Sequence, residues 1–214
     1  MKRKSEWRQE GKAAAPGGPL AGAESAVSEG GVSLILAAVK LAAEKHGNQR
    51  RKSAEATPYI NHPLEVAELL WRVGEVRDTA TLLAALLHDT IEDTDTRPEE
   101  IRRLFGEETL SLVLEVTDDK GLPKAERKRR QVEGAFRLSQ RARQIVLADK
   151  ICNLRDLIHS PPKDWPEERK REYLDWTKRV VAGLRGHHHA LELCYDELAR
   201  EAEAKIPAPL HSSS

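Results

Sequence analysis

A histidine and an aspartate stand side by side, His88-Asp89, and two further carboxylates, Glu92 and Asp93, follow after Thr90-Ile91. Imidazole nitrogen and carboxylate oxygen are ligand types that hard-to-borderline divalent cations accept. If the segment is helical, Glu92 lies four residues after His88 on the same face. The block then offers two candidate metal ligands and, one turn on, a carboxylate that could take a proton from an activated water. That combination points to metal-assisted hydrolysis.

Two residues elsewhere in the chain could complete such a centre. Asp149 sits in Ile145-Val146-Leu147-Ala148-Asp149-Lys150-Ile151-Cys152-Asn153-Leu154. A charged carboxylate among apolar neighbours is costly unless it is paired or bound to metal. Asn153, its i+4 neighbour, faces the same way, and an ion pair with Lys150 or Arg155 is the ordinary alternative. His62, in Pro58-Tyr59-Ile60-Asn61-His62-Pro63, stands just ahead of a predicted helix, where a histidine commonly serves as a turn or cap residue. Beside His88, Asp89 and Asp149 it becomes a fourth ligand. Two imidazoles and two carboxylates leave room on a six-coordinate ion such as Mn²⁺ for a water and a phosphate oxygen.

Two basic clusters could meet a polyphosphate: Arg50-Arg51-Lys52, and Lys124 with Arg127-Lys128-Arg129-Arg130. For either, a solvated face is the ordinary alternative. A loop could bring Arg51-Lys52 to the pocket of His62. The triplet His187-His188-His189 reads as a surface feature, because consecutive helical residues point about 100° apart and cannot readily share one ion. No Walker loop, GxGxxG or GxSxG is present, and neither Ser53 nor Ser111 has a triad setting.

These groups must be positioned by helices. Ile35, Val39 and Ala42 mark a helix over residues 32–46, and Leu64, Ala67, Leu70 and Trp71 one over 63–73 with Pro63 in its first turn. Asp78 or Thr79 caps the helix that carries His88-Asp89. Thr96 caps the next, which Gly106 ends, and 107–116 forms another. Further helices are predicted over 124–137, 139–158, 167–184 and 187–203. No stretch alternates as a strand, and aromatics are only 4% of residues, so Leu, Val, Ile and Ala must build the core. The reading is an all-α single domain over 31–203. Residues 1–30, with Pro16-Gly17-Gly18-Pro19, read as a disordered tail and 204–214 as a flexible one.

Composition narrows the function. A zero formal net charge and the lack of a basic face with interleaved aromatics argue against nucleic acid as a partner. No apolar run is long enough for a membrane span. The basic start, Met1-Lys2-Arg3-Lys4, has no apolar h-region behind it, so no signal peptide is expected. Cys152 and Cys194 read as reduced thiols, which fits a cytoplasmic protein. Oligomeric state is not legible.

Arg51-Lys52, Thr57 to Pro63, Ala84 to Thr94, Glu115 to Lys120, Leu147 to Lys150 and Asn153 to Leu157 together resemble the HD-domain hydrolases of the RelA/SpoT superfamily. The overall length and Glu172-Tyr173-Leu174-Asp175-Trp176 are most similar to the small stand-alone members of the metazoan SpoT homologue type. The likeness spans about residues 32–185 and rests on several blocks in matching order and spacing. It implies an HD-domain helical bundle, one Mn²⁺ per chain, and hydrolysis of the 3′-pyrophosphate of guanosine tetra- and pentaphosphate to GDP or GTP and pyrophosphate. By the same resemblance His62, His88, Asp89 and Asp149 hold the metal, and Glu92 and Asp93 activate or position the water. Arg51, Lys52, Asn153 and Tyr173 contact a small-molecule nucleotide. The synthetase and regulatory domains of the long members have no counterpart, so hydrolysis alone is expected. The alternatives are phosphatase action on another phosphorylated nucleotide, such as NADPH or a 3′-phosphoadenylated compound, and a non-catalytic nucleotide sensor.

Overall fold

The computed structural model describes residues 29–53 and 55–206, so most of the two expected tails, residues 1–28 and 207–214, lies outside the described residues. Among the described residues the architecture is all-α. In chain order the helices are α1 (Glu29–Lys45), α2 (Asn61–Arg72), α3 (Thr79–Leu87), α4 (Thr90–Asp93), α5 (Pro98–Val116), α6 (Lys124–Gly134), α7 (Gln140–His159), α8 (Glu167–Ala182) and α9 (His189–Lys205), with a 3₁₀ turn at Ala135–Arg137. Among the described residues, extended pairing is limited to two isolated bridges, Arg50 with Pro58 and Ser53 with Pro162. None of the described helices is long and apolar enough to cross a membrane.

Helix α3 is apolar on every side, and its residues from Ala80 to Leu87 are all buried. Such a helix can exist only at the centre of a bundle. It packs against α1, α2, α5 and α7, while α7 runs beside it and against α2, α8 and α9. The start of α3 is pinned by Asp78, whose Oδ2 accepts from the Thr81 backbone N–H at 3.0 Å and from Arg141 Nη1 at 2.9 Å. One acid thereby caps α3 and ties it to the first turn of α7.

Several boundaries differ from the sequence reading. The expected helix through His88 and Glu92 is interrupted: α3 ends at Leu87 and α4 is a separate single turn. Asp89 sits at ψ −6°, and the Thr90 hydroxyl takes the Leu87 carbonyl at 2.7 Å, a local alternative to the helical ladder. Helix α2 begins at Asn61, which places His62 inside its first turn rather than ahead of it. Thr96 is not the cap of α5. Arg97 holds that position without a side-chain cap, and Thr96 is buried, its hydroxyl 2.8 Å from that of Thr94. Gly106, at φ 87°, divides Pro98–Val116 where a break was expected. Helix α6 stops at Gly134, short of Arg137, and α1 and α9 extend into residues assigned to the tails.

The 3₁₀ turn meets the end of α8 at Gly183, where an added Cβ would stand 2.8 Å from Ala135 Cβ and 3.3 Å from Phe136 N. Neither neighbour is a flexible side-chain end, so the turn must move. Gly183→Ala should cost about 1–3 kcal/mol, the usual scale for overpacking. An unchanged denaturation midpoint would show that the contact is not tight.

Candidate active site

Three parts of the bundle converge on one point. The first turn of α2 supplies His62, the α3–α4 junction supplies His88 and Asp89, and the middle of α7 supplies Asp149. His62 and His88 are buried, at 1% and 7% exposure. His62 Nε2 lies 3.0 Å from Asp149 Oδ1 and 3.9 Å from Asp89 Oδ2. His88 Nε2 lies 3.0 Å from Asp89 Oδ2 and 4.0 Å from Asp149 Oδ1. One ligand atom from each of His62, His88 and Asp149 falls within 4.8 Å of the others, and Asp89 presents its Oδ2 to both imidazoles.

The donor set fits a divalent cation. The Ala85 carbonyl, 2.8 Å from His88 Nδ1, fixes that edge of the ring and turns Nε2 to the cluster, buried and without a hydrogen-bond partner. A backbone carbonyl fixing the far ring nitrogen is the usual support for a ligating histidine. Asp149 is braced by Asn153 Nδ2 at 2.5 Å and by Lys150 Nζ at 2.9 Å. The ordinary alternative for Asp149 is thus half right: Lys150 is its partner and Arg155 is not, and Oδ1 still faces the histidines. Tyr59 donates its hydroxyl to Asp89 Oδ2 at 2.5 Å.

Electrostatics point the same way. Burial opposes a charged His88, but Asp89 and Asp149 outweigh it and push the imidazole up to about 9. Burial likewise opposes the charged carboxylates. His88 then holds Asp89 below the usual range, and Lys150 with His62 does so for Asp149. Two largely buried carboxylates calling for positive charge form the setting that a divalent ion satisfies.

The cluster opens into a cleft of about 1040 Å³, roomy enough for a nucleotide. Glu92 and Asp93 both line it. Glu92 Oε1 is 3.0 Å from Arg127 Nη1, and its Oε2 accepts from the Asp118 backbone N–H at 3.3 Å. Burial, then the charges of Asp118, Asp89 and Asp93, push the Glu92 carboxyl above its ordinary value. Asp93 is paired with Lys120, and its carbonyl accepts from Gln49 Nε2 at 2.7 Å.

Of the expected nucleotide contacts, Lys52, Asn153 and Tyr173 line the cleft. Arg51 does not. Its Nε and Nη2 reach Asp156 Oδ2 at 3.0 and 2.5 Å, Nη2 reaches Asn153 Oδ1 at 3.0 Å, and its guanidinium sits 5.6 Å from the Tyr59 ring centre. It braces the 49–53 segment against α7. Tyr173 stands between Trp165 and Trp176, with ring centres 5.5 and 5.3 Å away.

The 124–130 cluster separates into different roles. Arg129 pairs with Glu126 and Glu133 on the exposed side of α6, Arg130 pairs with Glu126 at the rim of the cleft, Arg127 turns to Glu92, and Lys124 and Lys128 line the cleft. Burial, followed by Arg169, Lys52 and Arg127, lowers the Lys124 ammonium below its ordinary value. Such crowding of like charge is what an anion relieves. His187 and His189 are exposed, as a surface feature would be, while His188 is half-buried: its Nδ1 accepts from the Leu191 N–H at the start of α9, and its Nε2 lies 2.8 Å from the Gly74 carbonyl.

Sequence reasoning missed Tyr59, Gln49, Asp118, Lys120 and the particular role of Arg127. Tyr59 and the 118–120 stretch lie inside the blocks that carry the family resemblance. Their partners are set by tertiary contact, so no local spacing marks them.

An HD-domain family profile matches residues 38–187. The guanosine-3′,5′-bis(diphosphate) 3′-pyrophosphohydrolase MESH1 of Xenopus tropicalis is 56% identical over 160 residues, 75% of this chain and 89% of its own. Its human counterpart is 50% identical over 167 residues, 78% of this chain and 93% of its own. A solved structure of a metazoan ortholog of SpoT, described as hydrolyzing ppGpp with a role in starvation responses, has a TM-score of 0.77. It shares 47% identity and covers 79% of this chain and 95% of that one.

Elemental analysis of the purified protein should find about one divalent ion per chain. His88→Ala should lose that ion. His188→Ala should keep it, at a cost of roughly 1 kcal/mol for the lost cap. Equal metal content in the wild type and His88→Ala would remove His88 from the centre.

Proposed function

The chain belongs to the HD-domain hydrolases of the RelA/SpoT superfamily, and from that premise we propose that it hydrolyses the 3′-pyrophosphate of guanosine tetra- and pentaphosphate. The products are GDP or GTP and pyrophosphate. The observation that carries the reading is the juxtaposition, in one cleft, of the His62–His88–Asp89–Asp149 cluster with Glu92, Asp93 and unpaired lysines. The pyrophosphohydrolase activity of relatives about half identical over most of their length supports the substrate. We read the metal as Mn²⁺, one per chain, because two imidazoles with two carboxylates suit a borderline six-coordinate ion. The free thiols of Cys152 and Cys194 fit a cytoplasmic location.

A divalent ion held by His62, His88, Asp89 and Asp149 would polarise a phosphate oxygen and make water more acidic. The protein groups do the rest. Glu92 takes a proton from the attacking water, and its raised basicity matches it to that work. Asp93, held by Lys120, orients the same water. The water oxygen joins the phosphorus nearest the ribose 3′ oxygen. The bond from that phosphorus to the 3′ oxygen breaks, and the 3′ oxygen takes up a proton. Lys52, Lys124 and Lys128 offset the negative charge of the pyrophosphoryl group as it transfers. Tyr173, with Trp165 and Trp176, offers apolar ring surface to the nucleoside.

Metal-loaded protein given guanosine 3′,5′-bis(diphosphate) should release GDP and intact pyrophosphate in one step, as read by chromatography. Release of two orthophosphates, or a strong preference for NADPH, would replace this reading with the general phosphatase. Glu92→Gln and Asp93→Asn should retain the metal and the fold while kcat falls on the order of 10²-fold or more. Wild-type turnover in both variants would strip these carboxylates of their roles.

A further inference from the structure

Helix α6 buries none of its residues, yet it forms one wall of the cleft. On its inner face Arg127 follows Lys124 by three residues and precedes Gln131 by four, so the three share a side. The Arg127 side chain is only 24% exposed, and its Nε is buried without a hydrogen-bond partner. A buried, unpaired guanidinium N–H is costly. It is tolerated here because the other edge of the group meets acids. Nη1 lies 3.0 Å from Glu92 Oε1 and 3.8 Å from Asp118 Oδ2. Asp118 is itself held by Gln131 Nε2 at 2.5 Å, and its backbone N–H reaches Glu92 Oε2 at 3.3 Å. Both oxygens of Glu92 are therefore fixed, one from α6 and one from the segment before it.

Phosphate has other cations available. Lys52 and Lys124 line the same cleft and form no ion pair among the described residues. Arg127 alone of the cleft-facing basic residues on α6 is turned onto a carboxylate assigned to the chemistry.

We propose that Arg127 is a positioning residue for Glu92, not a ligand for substrate phosphate: it holds the carboxylate in one orientation at the cleft wall, with Gln131 and Asp118 closing the frame. This rests on the assignment of Glu92 as the group that takes the water's proton. Loss of such a brace acts on turnover, because misplacing a reacting group by about 1 Å costs on the order of 10²-fold.

The test uses the metal-loaded full chain and guanosine 3′,5′-bis(diphosphate). Arg127→Ala should lower kcat between roughly 10- and 10²-fold, with metal content unchanged, Tm within about 4 °C and KM within about 3-fold. Arg127→Lys should recover part of the loss. In a Glu92→Gln background, adding Arg127→Ala should change kcat by less than about 3-fold, since the side chain it orients can no longer take the water's proton. The Kd of the intact nucleotide for that double variant should stay within about 3-fold of the value for Glu92→Gln. Arg129→Ala, which loses only exposed pairs with Glu126 and Glu133, should turn over as the wild type does. A tenfold or greater rise in KM or Kd with kcat intact would make Arg127 a phosphate ligand or a dock for α6 and overturn the proposal. Independent, multiplying losses in the double variant would overturn it too. A Glu92→Gln enzyme that turns over normally would instead overturn the assignment of Glu92, and the proposal with it.

Discussion

Four ionisable groups, His62, His88, Asp89 and Asp149, are packed together where three helical segments meet, and the fold answers to that burial. Each such ion costs several kcal/mol to remove from water, and mutual attraction repays the cost only when geometry and hydrogen bonds are good. The surroundings supply those bonds from well-separated elements. Ala85 fixes the His88 ring, Tyr59 holds Asp89, and Asn153 and Lys150 hold Asp149. Lys150 is itself buried, its ammonium 4.7 Å from the Trp176 ring centre, so the chain of support runs on into α8. A centre with this much support is held rigidly before any substrate arrives.

The rigid backing is apolar. Helix α3 is buried from Ala80 to Leu87, with Thr81 its one polar residue in that stretch, and the ionisable residues begin where it stops. The His88-Asp89 pair therefore emerges at the end of a buried rod whose axial position is set by packing on α1, α2, α5 and α7. The interruption after Leu87 has a consequence for the chemistry. Glu92 is carried on a separate turn, α4, whose orientation depends on Thr90, on Gln49 and on α6 rather than on the rod. The proposed metal ligands and the proposed proton acceptor thus rest on different supports.

Much of this was legible in the sequence, for identifiable reasons. Apolar spacing, the Asp78 cap, Pro63 in a first turn and Gly106 as a breaker are local signals, and each marks a helix or break that the structure contains. Asp149 betrayed itself as a charge among apolar residues, and its burial among partners follows the same logic. Illegible were the features that depend on distant partners. Nothing near Tyr59 announces that its hydroxyl serves Asp89, 30 residues away. Nothing near Arg51 announces that Asp156 occupies it. Thr96 and Arg97 show the local limit: a favourable cap residue yields to its neighbour when its hydroxyl finds Thr94 instead.

Helix α6 follows a different rule from the rest of the bundle. With no buried residue it gains little from the hydrophobic effect, which holds the other long helices in place. Its contacts are with α8 and the 3₁₀ turn, and its bonds are polar: Arg127 to Glu92, Gln131 to Asp118, and the Lys128 carbonyl accepting from Trp176 Nε1 at 3.2 Å. Ion pairs and partly exposed hydrogen bonds contribute about 1 kcal/mol or less each. This cleft wall is therefore held by polar bonds rather than by apolar burial, and it carries the residues closest to the proposed phosphate path, Lys124 and Lys128. An anion entering there would meet two ammonium groups lowered by burial and by their own crowding, and would add the charge this wall lacks.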